Sequence, residues 1–219
     1  MIGIVIPAHN EAAYLASCLA AVKRAAQAEE LGGEPVLVVV VLDDCSDQSV
    51  VIAQRFVARI VTTNVQNVGI ARAKGAELAI RCGARWLGFT DADSIVAPDW
   101  IARQLELGVD AVCGTVEIRR WHSYGERLQR HFASLYRDTD GHGHIHGANL
   151  GVSVHAYEKA GGFRALDCSE DVALVKDLQA TGASLAWSAT PRVITSARRD
   201  YRRPDGFGAY LASLNRQIS

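Results

Sequence analysis

The chain has 219 residues, of which 49% are hydrophobic and 21% charged, and its formal net charge is −1. That balance suits a soluble globular protein of one large domain or two small ones, and it excludes bulk electrostatic attraction to nucleic acid or to an anionic membrane, though peripheral contact with a membrane stays open. Five cysteines (Cys18, Cys45, Cys82, Cys113, Cys168) are odd in number, widely spaced and without a Cys-x-x-Cys pair, which argues against a disulfide framework or a zinc site and fits reduced thiols in a cytoplasmic protein.

The first apolar run, Ile2 to Ile6, is closed by Pro7 and reads as a strand, not as a signal segment. Helical spacing follows at Leu15, Leu19, Val22 and Ala26, with Asn10 as the expected cap and Gly32-Gly33 as the stop. Val36 to Leu42 has no polar member, so it predicts a central parallel strand buried on both faces; it is far too short to span a bilayer. Asp47 is the expected cap of a helix from Gln48 to Phe56, Arg59 to Thr63 is a third strand, and Gly69 to Cys82 a third helix. Arg85 to Thr90 is the fourth strand. Pro98 opens a helix to Leu107, and Asp110 to Ile118 reads as a fifth strand. Strand and helix alternate to this point, the pattern of a parallel sheet covered on both sides.

The second half is less regular. Trp121, Tyr124, Leu128, Phe132 and Leu135 mark the core face of a helix, with Arg120, Arg127, Arg130 and Arg137 mostly elsewhere. A Gly- and His-rich loop spans Asp140 to Gly147. Then come a short strand near Asn149 to Val152, a helix ending at Gly161-Gly162, a helix from Glu170 to Thr181 with Ser169 as its cap, strands at Leu185 to Ser188 and Val193 to Thr195, and a last helix from Asp205 to Asn215. With no repeat, low-complexity tract or linker, residues 1–219 read as one domain.

Polar residues gather where these strands end. Pro7-Ala8-His9-Asn10-Glu11 follows the first, Asp43-Asp44 the second, and Asp91-Ala92-Asp93 the fourth. In open α/β sheets ligands bind outside the carboxyl ends of the strands, and three such clusters at one edge mark a site. Two carboxylates as close as Asp91 and Asp93 repel unless a cation lies between them. They make a seat for Mg²⁺ or Mn²⁺, hard ions that commonly hold substrate phosphates. No Gly-x-x-x-x-Gly-Lys loop is present, nor a Gly-x-Gly-x-x-Gly after the first strand.

Taken together these segments resemble the nucleotide-sugar-dependent glycosyltransferases of family 2, with the GT-A fold, over nearly the whole chain. Ile4-Val5-Ile6-Pro7-Ala8-His9-Asn10-Glu11 is similar to the family's first strand and donor loop. Val41-Leu42-Asp43-Asp44-Cys45-Ser46-Asp47 is similar to its Val-Asp-Asp-Gly-Ser segment, with Cys45 where Gly is usual. Asn67 to Gly75 and Asp91-Ala92-Asp93 resemble its Asn-x-Gly and Asp-x-Asp motifs, and Gly147-Ala148-Asn149, Gly161-Gly162-Phe163 and Glu170-Asp171 follow in the family's order. The resemblance implies an α/β/α fold with a mainly parallel central sheet, a nucleotide-sugar half over 1–118 and an acceptor half over 119–219. It implies a donor pocket lined by Pro7, Ala8, Glu11, Asp44, Arg72 and Asp91, metal ligands Asp93 and Asp91, and Asp171 as the base of an inverting transfer. The donor it implies is a UDP- or dTDP-linked sugar, Asp44 taking the imide hydrogen of the base. Four arginines, Arg198, Arg199, Arg202 and Arg203, stand where one of them would meet the diphosphate. His142, His144 and His146 read as an acceptor-side loop or a transition-metal tract.

Three other classes fit parts of the pattern, of which a nucleotidyltransferase is weakened by the lack of a Gly-rich, Lys-containing loop after the first strand. A phosphohydrolase of the haloacid dehalogenase type uses Asp-x-Asp as nucleophile and acid, but on its first strand, whereas three strand–helix units precede Asp91 here. A non-catalytic nucleotide-sugar-binding module would keep Asp44 and Asp93 and have no use for Asp171.

Overall fold

The computed structural model describes residues 1–56, 58–121, 124–198 and 206–218. Its strands are β1 (Ile2–Ala8), β2 (Val36–Asp43), β3 (Arg59–Thr63), β4 (Trp86–Phe89), β5 (Ile95–Val96), β6 (Ala111–Gly114), β7 (Glu117–Ile118), β8 (Leu150–Ser153), β9 (Leu185–Ser188) and β10 (Val193–Thr195). Its α-helices are α1 (Leu15–Ala25), α2 (Ser49–Arg55), α3 (Val68–Arg81), α4 (Trp100–Glu106), α5 (Glu126–Leu135), α6 (Val154–Lys159), α7 (Glu170–Ala180) and α8 (Phe207–Ile218).

Seven strands form one sheet in the order β3-β2-β1-β4-β8-β6-β9. The pairs β3–β2, β2–β1, β1–β4 and β6–β9 are parallel, while β8 runs against both β4 and β6. The sheet is therefore parallel except for one strand. A side chain's face alternates along a strand, and β1 sorts its residues accordingly. Ile2, Ile4 and Ile6 enter a core shared with α1, α2 and α4, while Val5 enters the opposite core with α3, α6 and α7. Two apolar layers on one sheet make the three-layer α/β/α arrangement. A third cluster joins α5 to α8 through Leu128, Phe132, Leu211 and Leu214.

The long strands stand close to expectation, and most helix starts differ. Asn10 does not cap α1. It adopts φ +53° and accepts from the backbone N–H groups of Ser46 and Asp47 at 2.7 and 3.2 Å. Asp47 makes no cap for α2 as a whole: one carboxylate oxygen takes Ser49 N–H and the other takes Ala12 N–H, tying two loops together. Pro98 lies before α4, which begins at Trp100. Ser169 takes φ +55° and its side chain caps nothing. Asp110 to Ile118 is two strands, because the chain leaves the main sheet at Thr115 and joins a second sheet of order β5-β10-β7. Leu135, expected on the core face of α5, is 52% exposed. No helix among the described residues is long and apolar enough to cross a membrane.

Candidate active site

Sheet order reverses beside β1: the chain builds outward to β2 and β3, then returns to place β4 on β1's other side. Loops leaving β1 and β4 diverge there, and a crevice opens at their carboxyl ends. The crevice is a cavity of about 1030 Å³. Pro7, Ala8, Glu11, Arg72, Asp91, Asp93 and Asp171 all line it, so most of the side chains chosen from sequence share one space.

Its floor is acidic. Glu11, Asp91 and Asp93 all raise the pKa of the buried Cys18 thiol, after burial itself, which locates three carboxylates around one point. Asp93 is pushed up to about 7, first by burial and then by Asp91, against the pull of Arg198. Arg198 supplies the countercharge. It makes two hydrogen bonds to the Glu11 carboxylate at 2.8 and 2.7 Å, and its Nε lies 3.4 Å from Asp93. Of the four C-terminal arginines, Arg198 is the one among the described residues, and it reaches the site. Arg199, Arg202 and Arg203 lie outside the described residues.

A buried ion network joins the floor to the opposite wall. Arg72, on α3, donates to Asp91 at 2.6 Å with one guanidinium nitrogen and to Glu170 with the other. Burial opposes its charge, but Asp91, Glu170 and Asp171 outweigh that and raise its pKa. Glu170 is itself raised, by burial first, with Arg72 opposing. Gly147 lies flat on the guanidinium, where a Cβ would collide with it. Beside this contact the Gly147 N–H donates to Asp171 Oδ2 at 2.8 Å, and Val172 N–H donates to Oδ1 at 2.8 Å. Asp171 thus sits in the first turn of α7, held by two backbone donors.

The acidic pair after β2 divides its labour. Asp43 is buried and accepts from the backbone N–H groups of Val65, Gln66 and Asn67 at 2.8, 3.0 and 2.8 Å. It secures the turn into α3, not the start of α2. Asp44 is exposed, at φ +51°, and takes the Gln66 amide at 2.6 Å. Gln66 lines the cavity, whereas Asp44, expected in the donor pocket, is not among the lining residues and touches it through Gln66. Asn149, part of the motif pattern, is structural: its side chain donates to Thr115 and Pro191 carbonyls and accepts from Trp100 Nε1.

The histidine loop contributes aromatic surface. His144 stacks on Tyr136 with centroids 4.2 Å apart, and the Tyr136 hydroxyl lies 2.9 Å from His146 Nε2. His142 Nδ1 accepts from His144 N–H, and His144 Nε2 accepts from Arg137 N–H. Three ring nitrogens are thus held by Tyr136, Arg137 and His144, while among the described residues His142 Nε2 is buried without a partner and no group of three metal-ligating side chains occurs. Tyr136, Phe207 and Gln66 also line the cavity. The only sequence signal for Tyr136 was its place one turn beyond Phe132, and the others had none.

Residues 3–165 match the sequence profile of glycosyl transferase family 2. The chain belongs to this family. No curated protein sequence matches it. Among solved structures it is similar to residues 1–349 of TarS from S. aureus in complex with UDP-GlcNAc, with TM-score 0.69 and 14% identity, covering 99% of this chain and 65% of that one. It is also similar to the mannosyltransferase PcManGT from Pyrobaculum calidifontis in complex with GDP-Man and Mn²⁺, with TM-score 0.65 and 17% identity, covering 95% of this chain and 59% of that one. The chain thus spans roughly three fifths to two thirds of these neighbours, and the shared GT-A fold is what the likeness shows.

A divalent ion of the kind bound in the mannosyltransferase structure can be tested against the donor set. Asp91 and Asp93 offer hard carboxylate oxygens on a crowded acidic floor, and a guanidinium already answers that charge. Such an ion needs few protein ligands, because phosphate oxygens and water complete its shell. The residues fit it.

Proposed function

We propose that the protein is a metal-dependent glycosyltransferase that moves a hexose from a nucleoside diphosphate sugar to an acceptor hydroxyl with inversion at the anomeric carbon. The observation that carries this reading is that Asp171 and the Asp91–Asp93 pair open on one cavity and are linked through Arg72. Asp93 and Asp91 would hold Mn²⁺ or Mg²⁺, which supplies charge stabilisation to a departing diphosphate.

Asp171 accepts the proton of the acceptor hydroxyl as that oxygen forms its bond to the anomeric carbon. The bond from that carbon to the diphosphate oxygen breaks on the opposite face, and the nucleoside diphosphate leaves with the electron pair. Arg198 adds the protein's own cation at the diphosphate end. Pro7, Ala8 and Glu11 border the nucleoside, and Asp44 acts with Gln66 at the base, which favours the imide edge of uracil or thymine. Both neighbouring structures bind nucleotide sugars, UDP-GlcNAc in one and GDP-Man in the other.

Two substitutions test the reading. Asp171→Asn should lower sugar transfer by about 10²- to 10⁴-fold, the usual contribution of a positioned base; transfer at the wild-type rate would exclude Asp171 as base. Asp93→Ala should remove the manganese dependence of nucleoside diphosphate binding, read as a thermal shift across a panel of bases. A manganese-dependent shift that survives would refute the metal assignment.

A further inference from the structure

Two hydrogen bonds meet at the Tyr136 hydroxyl. Val116 N–H donates to it at 2.8 Å, and His146 Nε2 lies 2.9 Å away. A phenol carries one proton. Val116 uses an accepting lone pair, and the arrangement that gives the phenol proton an acceptor among the described residues has Tyr136 donating to His146 Nε2. The imidazole therefore bears its proton on Nδ1 and is neutral. Burial, followed by His144 and His142, holds its pKa down to about 3, which agrees with a neutral ring.

Nδ1–H has no hydrogen-bond partner among the described residues, and His146 is part of the cavity wall. The next residue along the chain, Gly147, is the one whose N–H holds Asp171 Oδ2 at 2.8 Å. A donor of fixed direction thus stands one residue away from the support of the base. The wall around it is aromatic: Phe207 and Tyr210 line the cavity beside Tyr136, whose ring is stacked between Phe132 and His144, and Phe207 meets His146 edge-on at 5.6 Å. A pyranose matches such a wall, since it has C–H groups on its faces and hydroxyl oxygens around its rim, and pockets of this kind orient a ligand with few polar groups.

We infer that His146, locked by Tyr136 as the Nδ1–H tautomer, positions a saccharide acceptor by donating to a hydroxyl oxygen next to the one that Asp171 deprotonates. The inference rests on the glycosyltransferase reading and names the acceptor class for it. His146 acts on orientation and takes no proton in the reaction.

The tautomer is read without substrate, from ¹⁵N shifts of the histidine-labelled protein. Wild-type His146 should show a protonated Nδ1 and a bare Nε2, and Tyr136→Phe should move it toward the ordinary Nε2–H form. A wild-type ring protonated on Nε2 overturns the inference. Acceptor positioning is read with methyl hexosides as acceptors and UDP-, dTDP- and GDP-hexoses as donors, with Mn²⁺. His146→Gln, whose amide nitrogen takes the place of Nε2, should raise the acceptor KM about tenfold or more with a smaller change in kcat. His146→Asn, whose amide nitrogen takes the place of Nδ1, should recover to within about threefold of wild type. Equal impairment of the two variants, or a wild type that hydrolyses the donor yet glycosylates no methyl hexoside, overturns the assignment. A wild type that neither hydrolyses nor transfers any of these sugars refutes the glycosyltransferase reading itself, and the acceptor assignment falls with it.

Discussion

Arg72 is a charge buried to 3% exposure, which is tolerable because two carboxylates share it. Its planar fork allows one nitrogen to serve Asp91 and another Glu170, while its face lies over the Phe163 ring at 5.7 Å. A lysine ammonium is a compact point charge and does not reproduce two divergent contacts. Arg72→Met should therefore cost about 3–5 kcal/mol in denaturant unfolding, because it leaves Glu170 buried beside an apolar chain. Arg72→Lys should recover only part of that loss. Equal stability of Arg72→Met and wild type would show that the network contributes nothing to folding. Arg72 also connects the floor of the cavity to the helix that carries Asp171, so its side chain sets how the two acidic sites face each other.

The helix that carries Arg72 shows which local signals survive folding. Asn67 caps α3, accepting from Ile70 N–H at 3.0 Å, and its amide also donates to the Leu166 carbonyl at 2.8 Å. Asn67→Ala should cost about 1 kcal/mol as a lost cap, and somewhat more because the Leu166 carbonyl loses its donor; thermal unfolding measures both. Inside α3, Gly75 lets the helix approach Val5 and Val41 more closely than any Cβ permits. Apolar runs and their order were readable in the sequence, since burial on two faces leaves no room for polar residues in β1, β2 and β4. Caps were less readable. Asn10, Asp47 and Ser169 look like caps by spacing, but Asn10 and Asp47 find backbone donors across two loops, and Ser169 is drawn into a left-handed turn. The site was legible where it follows a strand, as Asp91 and Asp93 do. Asp43 was not, because its three donors lie 22 to 24 positions further on, and neither was the Tyr136–His146 bond, whose partners lie 10 positions apart in irregular chain.

Across the fold, the reversal of strand order brings Glu11 and the pair Asp91 and Asp93 to one corner, and the ligand-free protein carries that crowding as a cost. Asp93 shows it most directly. Its carboxyl titrates ordinarily at 3.8 and is raised to about 7 by burial and by Asp91. The folded state then holds its proton more tightly than the unfolded chain does, so this carboxyl's contribution to stability is fully present below about pH 4 and is lost as pH rises to about 7. Above that window the charged form is fully present and the penalty is complete. Asp93→Asn removes the charge and keeps the shape, and Arg198 retains its paired bonds to Glu11. The metal-free variant should melt higher than wild type at pH 8 and lose the decline between pH 4 and 7, by an amount of roughly 1–3 kcal/mol as expected for a buried, like-charge-paired carboxylate. The same variant should lose the gain in melting temperature that manganese and a nucleoside diphosphate together give the wild type. Calorimetry across pH, with and without those ligands, reads both effects. A variant that melts lower than wild type at pH 8 would show that the Arg198 contact outweighs the repulsion from Asp91, and that the acidic corner is built for stability instead of for binding a cation.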